Sequence, residues 1–358
     1  MRRDPIPKYI QIKNSIIEQI TGGDLGPGEQ IHSISEIMEK FKVSKVTAVR
    51  ALTELEVEGI VQRKHGLGTF VAHPKEETSE ARARKSVTVI APDMANPFHI
   101  EVVGCVERRL REEGIVVELS CTDYQVEVEK RLIRTVVSEK HVSGIVLISS
   151  AIPRTLYHEP LPDIPLVMVD ACPSDLIGKC VFITCDNFKG GYDAAAHLAH
   201  LGHKRIGYVN IPIGSLDRLS GFRKGMEDHD LILEEGRILM LSSRNQVGSE
   251  LIDFVKRENL TALFTVNDMI AMQAMHLLRS HGFRIPEDIS LVGYDNVAAA
   301  RYLEVPLTTI EQYEEQIGRK AAENLLAGLN PANSSFRPRE IVIVPRLIVR
   351  ASTAPPRR

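Results

Sequence analysis

FKVSKVTAVRALTELEVEGIVQRKHGLGTFVA, residues 41–72, reads as one helix followed by two short extended runs. From Ser44 onward the apolar residues Ala48, Ala51, Leu52 and Leu55 fall at i, i+3, i+4 and i+7, which buries one stripe of the helix. Ser44, Lys45, Thr47, Val49 and Arg50 lie largely off that stripe. Hydroxyls and cations near a helix N-terminus suit phosphate and major-groove contacts. IVQRK and TFVA are β-rich and joined by His65-Gly66-Leu67-Gly68, so a hairpin is expected with Arg63, Lys64, His65 and Gly66 at its glycine-rich tip.

Upstream, PKYIQIKNSIIEQI predicts a helix from about Pro7 to Thr21, with Pro7 pre-set for the first turn and Gly22-Gly23 as the stop. Ser33-Ile34-Ser35-Glu36 fits a capping box that opens a second helix before Ile37, Met38 and Phe41. Lys40, Lys42, Lys45 and Arg50 occur between residues 40 and 53 without an acid, and Arg63, Lys64 and Lys75 between 61 and 75, in a chain of net charge −3. Basic stretches confined to one end of an acidic chain fit an electrostatic footprint, although charge alone also describes solvated faces. Closely spaced helices followed by a basic hairpin predict a winged helix-turn-helix over residues 1–73.

From Pro74 to Lys85, PKEETSEARARK is polar and nearly free of large apolar residues, which predicts a linker. Beyond it VTVI, IVVEL, GIVLIS, PLVMV, VFIT, RIGYV, ILML, ALFTV and ISLVGY alternate with segments long enough for helices. Such alternation predicts βαβ units and parallel sheets. These strands are too many for one modest doubly wound sheet, so an α/β domain of two lobes is expected over 86–350, with a tail at 351–358. A chain of 358 residues, 43% apolar and 25% charged, accommodates that partition. Five cysteines with no C-x-x-C fit reduced cytosolic thiols, and the N-terminus lacks the apolar core of a secretory signal. No run approaches the ~20 apolar residues of a membrane span. A cytoplasmic location without a membrane partner is expected.

Polar residues directly follow several of these strands. Asn96 and Phe98 come after VTVIAPD, Ser149 and Ser150 close GIVLIS, Asp170 closes PLVMV, Asn267 and Asp268 follow ALFTV, and Asp295 follows LVGY. Open parallel sheets bind ligands beyond the carboxyl ends of their strands, and Asp and Asn there can engage several hydroxyls at once, as a polyol requires. Singly, each is also an ordinary helix N-cap, Asp268 above all. Their recurrence along one chain favours a shared cleft.

The pattern V-S-x-x-T…RAL..L…EGI…GxGTFV, with nearly all of residues 5–72, resembles the GntR family of DNA-binding domains. The resemblance implies that Ser44, Lys45, Thr47 and Arg50 meet the major groove of double-stranded operator DNA, with Arg63, Lys64, His65 and Gly66 on its backbone or minor groove. The chain departs from the family at Ile34, Ser35, Lys45 and Val49, positions on which base readout depends. NPFHIEV, CDNFKGGYDAAAHLAHLGHKRIGYV, LDRLSGF, LFTVNDMIAMQA and IPEDISLVGYDN resemble the LacI/GalR effector-binding domain, which is related to periplasmic sugar-binding proteins. By matching position, Asn96, Phe98, His99, Asp170, Arg218, Asn267, Asp295 and Gln312 would line the effector cleft, with Ser149 and Ser150 beside them. Where members often carry Asp-Arg, this chain has Asp170-Ala171 and so lacks a bidentate donor. The family's pattern places one lobe at 86–201 and 313–337 and the other at 203–311 and 338–350.

The union of both resemblances is similar to arabinose-type repressors. It implies a homodimeric repressor whose operator affinity is switched by a small sugar-like effector, with no cofactor. His197, His200 and His203 in HLAHLGH are spaced three apart, but no further converging ligand for zinc is visible, and no metal is expected. Gly190-Gly191 lacks the spacing of a dinucleotide loop, and no G-x-S-x-G, P-loop or H-E-x-x-H occurs, so catalysis is not expected. A transport-type solute-binding protein and a sugar-modifying enzyme are the competing readings.

Overall fold

The computed structural model describes residues 7–57, 60–64, 68–72, 86–139, 141–150, 157–158, 162–212, 215–242, 246–330 and 336–357. His65, Gly66 and the expected linker 74–85 lie outside them. The chain divides into two compact units, Met1–Ala83 and Arg84–Arg358.

The first unit packs helices α1 (Lys8–Thr21), α2 (Ile34–Phe41) and α3 (Lys45–Val57) with the hairpin of β1 (Val61–Lys64) and β2 (Gly68–Val71). Pro7 is the N-cap of α1 rather than its first helical residue. Ser33 and Glu36 form the capping box of α2, each satisfying the other's backbone N–H. The stripe Ala48, Ala51, Leu52 and Leu55 is fully buried against Ile12, Ile16 and Ile37. Strands β1 and β2 pair antiparallel from Val61↔Val71 to Lys64↔Gly68, and the segment around Gln30 adds to the outer side of β2.

The second unit holds two six-stranded sheets. The first lobe contains β3 (Ser86–Ala91), α4 (Pro97–Glu112), β4 (Val116–Cys121), α5 (Val126–Ser138), β5 (Val142–Ile148), β6 (Leu166–Val169) and β7 (Val181–Cys185). The second contains α6 (Asn187–His200), β8 (Ile206–Asn210), α7 (Leu216–Glu227), β9 (Ile238–Met240), α8 (Glu250–Arg257), β10 (Ala262–Thr265), α9 (Asp268–Ser280), β11 (Ser290–Asp295) and β12 (Thr308–Glu311). The chain then returns for α10 (Glu314–Leu329) and β13 (Arg339–Ile343) in the first lobe, and ends in the second with β14 (Arg346–Ile348). Sheet orders are β13-β7-β6-β5-β3-β4 and β14-β12-β11-β10-β8-β9, parallel throughout except for β14 on β12.

All nine expected strands form, and β12, β13 and β14 add to them. Strand β12 escaped the hydrophobic reading because Thr308-Thr309 break its apolar character, whereas Ile341-Val342-Ile343 and Leu347-Ile348 are apolar runs that the reading passed over.

Two lobe boundaries differ from expectation. Helix α6 belongs to the second lobe, since Ala194, Ala195 and Leu198 pack with Tyr208 and Phe222, so the first crossing falls at Asp186 rather than near residue 202. Strand β13 pairs with β7 in the first lobe, so the last crossing falls at Val344-Pro345 rather than at 338. The residues expected as a tail also pack. Ser352 is buried, accepts from the Thr308 amide at 2.8 Å and donates to the Leu291 carbonyl at 2.6 Å, while Ala354 O lies 2.9 Å from His203 Nε2.

Candidate functional site

The carboxyl ends of β3, β5, β6, β10 and β11 face a cleft between the lobes. There a cavity of about 690 Å³ is lined by Asn96, Phe98, His99, Ser149, Ser150, Asp170, Arg218, Asn267, Asp295 and Gln312 together. Every effector residue expected from sequence therefore borders one cavity. The loops that bring them there are tightly set: Asp170 and Asp295, at the ends of β6 and β11, adopt φ of 70° and 114°. L-residues rarely occupy such conformations, and they cluster where a site is held in shape by its surroundings.

The first lobe contributes an ordered imidazole. Asp93 accepts the Ala95 and Asn96 amides, each at 3.1 Å, and lies 3.1 Å from His99 Nδ1. Burial would raise this carboxyl, but the His99 and backbone hydrogen bonds prevail and bring it to about 2. An ionised carboxylate only accepts, so His99 carries its proton on Nδ1 and keeps Nε2 for the cavity. Asn96 caps α4, its oxygen accepting from the Phe98 amide at 3.0 Å, and Asn267 caps α9 in the same way through Ile270 at 2.9 Å. Capping uses only the carboxamide oxygen, so each NH₂ remains available to a ligand. Capping and binding are compatible roles in one residue.

Asp268 is not the cap. It is fully buried, accepts from Thr309 Oγ1 at 2.6 Å and from the Val297 amide at 2.9 Å, and ties α9 to the neighbouring β12.

Ser149 and Ser150 face inward to the protein as well. Ser149 Oγ and the Ser150 amide donate to Glu129 at 3.0 and 2.5 Å, Tyr157 O–H donates to the same carboxylate at 3.0 Å, and the Ser150 hydroxyl pairs with Thr122. Glu129 lies 0% exposed in α5, and burial raises its pKa despite these donors. Sequence reading missed it because a glutamate on a polar helical turn looks solvated.

The second lobe contributes a guanidinium whose pose is over-determined. Arg218 Nε donates to Asn187 Oδ1 and Nη1 to the Val266 carbonyl, both at 2.7 Å, and the group lies 3.7 Å over the Tyr294 ring. Its nearest carboxylate, Asp295, stands 4.0 Å away. Two glycines make this possible. A Cβ at Gly191 would meet Arg218 O at 2.0 Å, and one at Gly221 would meet Phe188 O at 1.8 Å, so only glycine lets α6 and α7 approach so closely. Of the glycine pair set aside as a dinucleotide loop, Gly191 serves this approach and Gly190 makes room for the Tyr294 ring. Asp295 is buried, which pushes it up to about 6 against the opposing pull of Arg218 and of Gln312, whose amide donates at 2.7 Å. Gln312 Oε1 is buried with no partner among the described residues.

Among the described residues, charge in the cavity is one-sided: Asp170, Asp186, Asp217, Asp295 and Glu340 line it against the single cation Arg218. Phe98, Tyr124, Phe182, Phe188 and Ile177 supply apolar wall.

On the head, Ser44 Oγ and Thr47 Oγ1 lie 3.0 Å apart across the first turn of α3, with Lys45 exposed between them. Arg50 spends Nε on Glu54 at 3.1 Å and stacks 4.0 Å over Tyr9, leaving both Nη groups at the surface. Lys64 lies over the Phe70 ring at 5.0 Å. Arg63 is more committed than its sequence position suggested. It donates to Val49 O at 3.3 Å and Thr53 Oγ1 at 3.1 Å and pairs with Glu56, so it braces the hairpin on α3.

The histidines of HLAHLGH do not converge. His197 pairs with Thr353, His200 with His229, and His203 with Thr261 and Ser290. Among the described residues no helix is long and apolar enough to cross a membrane.

Residues 8–71 match the gntR family of bacterial regulatory proteins, and residues 195–353 match a periplasmic binding protein-like domain. The arabinose metabolism transcriptional repressor of Geobacillus stearothermophilus is 30% identical over 367 residues, 99% of each chain. The HTH-type transcriptional regulator DegA of Bacillus subtilis is 31% identical over 75% of this chain and 81% of its own. A LacI family transcriptional regulator from Enterococcus faecium, solved with bound ribose, superposes with a TM-score of 0.65 at 27% identity, covering 76% of this chain and 99% of that one.

Proposed function

The chain belongs to the transcriptional repressors that join a gntR-family head to a LacI-type, periplasmic-binding-protein-like domain, and on that premise we propose that it binds operator DNA as a cytoplasmic homodimer and releases or tightens its grip when a neutral sugar enters the cleft. The observation that carries this reading is the composition of the cleft. Donors and acceptors come from both lobes, His99, Asn96 and Asp170 from one and Arg218, Asn267 and Asp295 from the other, so a single polyhydroxylated ligand bridges them. Gln312 Oε1, buried and unpartnered among the described residues, supports it further, because such an acceptor costs stability until a ligand hydroxyl donates to it.

Among the described residues, several carboxylates against one partly engaged guanidinium disfavour sugar phosphates and sugar acids, while the aromatic wall suits the apolar face of a sugar ring. The relatives' repression of arabinose metabolism and the ribose bound to the Enterococcus faecium protein point to pentoses as the first class to try. A thermal-shift screen of pentoses, hexoses, nucleosides and their phosphates tests the ligand. Neutral sugars at ~100 times their Kd should stabilise the protein by about 3 kcal/mol. Mobility shift of duplexes selected by the full-length protein, with and without the stabilising sugar, tests the switch. Operator affinity unmoved by every sugar that binds would sink it.

A further inference from the structure

Val46 is a branched apolar side chain left 78% exposed in the first turn of α3. At about 3.6 residues per turn, Ala48, Ala51, Leu52 and Leu55 share one side of the helix, and Val46, Val49, Arg50 and Thr53 centre on the opposite side. Lys45 and Thr47 stand at the flanks. The middle of the outward face is therefore apolar at its N-terminal end, the end that enters the major groove in helix-turn-helix proteins.

The polar groups around Val46 are largely engaged within the head. Ser44 and Thr47 share a hydrogen bond, Arg50 is held by Glu54 and Tyr9, and Arg63 is tied to α3. A β-branched residue is a weaker helix former than alanine, and leaving it in water gains nothing for the fold. The one apolar group displayed on a base edge in the major groove is the C5-methyl of thymine. We propose that Val46 is a specificity-determining residue that packs against a thymine methyl, so that each operator half-site carries an A·T pair at the base Val46 meets. This assignment rests on the head binding duplex DNA as set out above.

The full-length protein is used to select duplexes from a random-sequence library, and each thymine of the selected duplex is then replaced by uracil, which lacks only the C5-methyl. One thymine per half-site should weaken binding by roughly three- to five-fold when replaced, the value of one buried methyl. The V46A protein should bind the thymine and uracil duplexes equally, and V46I should keep the discrimination. Alanine at an exposed helical position favours the helix, and an unchanged melting temperature checks that V46A is folded. Indifference of the native protein to every replacement, or the same penalty persisting in V46A, would overturn the assignment. A library that yields no preferred duplex defeats the DNA-binding reading itself, and this assignment with it.

Discussion

Asp295 shows how one buried carboxylate ties stability to binding. Burial holds its pKa at about 6, well above the ordinary aspartate range. A folded-state pKa raised above the unfolded value contributes stability that is fully present below the ordinary pKa and is lost as pH rises through about 6, here about 3 kcal/mol. Ligand hydroxyls that donate to the carboxylate reverse the balance, because they favour its ionised form. Sugar affinity should therefore increase as pH rises from about 5 to about 7, and Asp295→Asn should flatten that dependence in a calorimetric titration. The same variant should lose at least about tenfold in sugar affinity, about 1.4 kcal/mol, without lowering the melting temperature of the ligand-free protein at pH 8.

Arg50→Ala should do the converse, weakening DNA binding by roughly tenfold in an anisotropy titration while sugar affinity stays put. Equal damage to both activities by either variant would contradict the division of labour. Much of the cleft was legible in the sequence because strand ends announce themselves as a polar residue closing an apolar run. Glu129 and Asn187 were not. Both act through neighbours distant in sequence, whereas the helical period already sets Val46 opposite the buried stripe and only its degree of exposure needed the structure.

Elements set the precision of these residues. Helices α6 and α7 touch backbone to backbone through Gly191 and Gly221, and this contact presents Asn187 to Arg218 at 2.7 Å. Gly221→Ala places a methyl against the Phe188 carbonyl, so the helices must separate. The expected cost is about 3 kcal/mol of stability, read as a drop in melting temperature, with a loss of sugar affinity that Gly236→Ala, near only the far end of Glu258, does not share. Burial patterns made the buried parallel strands plain in sequence, since Leu166–Val169 and Ala262–Thr265 are buried at every position. Edge strands were harder. Strand β13 leaves Arg339 and Glu340 in water and buries only Ile343, so hydrophobicity gave no sign that it leaves the second lobe to pair with β7.

At the scale of the whole molecule, three short crossings at Asp186, Gln312-Tyr313 and Val344-Pro345 join the lobes, and Asp186 and Gln312 themselves line the cavity. A ligand that bonds to both lobes and to the crossings between them binds one interlobe arrangement better than another, and only such a difference in affinity can shift the equilibrium. Whatever path carries that shift to the head, the coupling is reciprocal: the factor by which sugar changes operator affinity equals the factor by which operator changes sugar affinity. If sugar weakens operator binding fiftyfold, roughly 2.3 kcal/mol of coupling, then saturating the protein with its selected duplex should raise the sugar Kd by the same roughly fiftyfold. Titrating sugar into free and duplex-bound protein measures this directly. A sugar Kd unchanged by duplex, alongside an operator affinity that responds to sugar, would break this linkage and so mean that the operator response does not come from sugar bound to the protein.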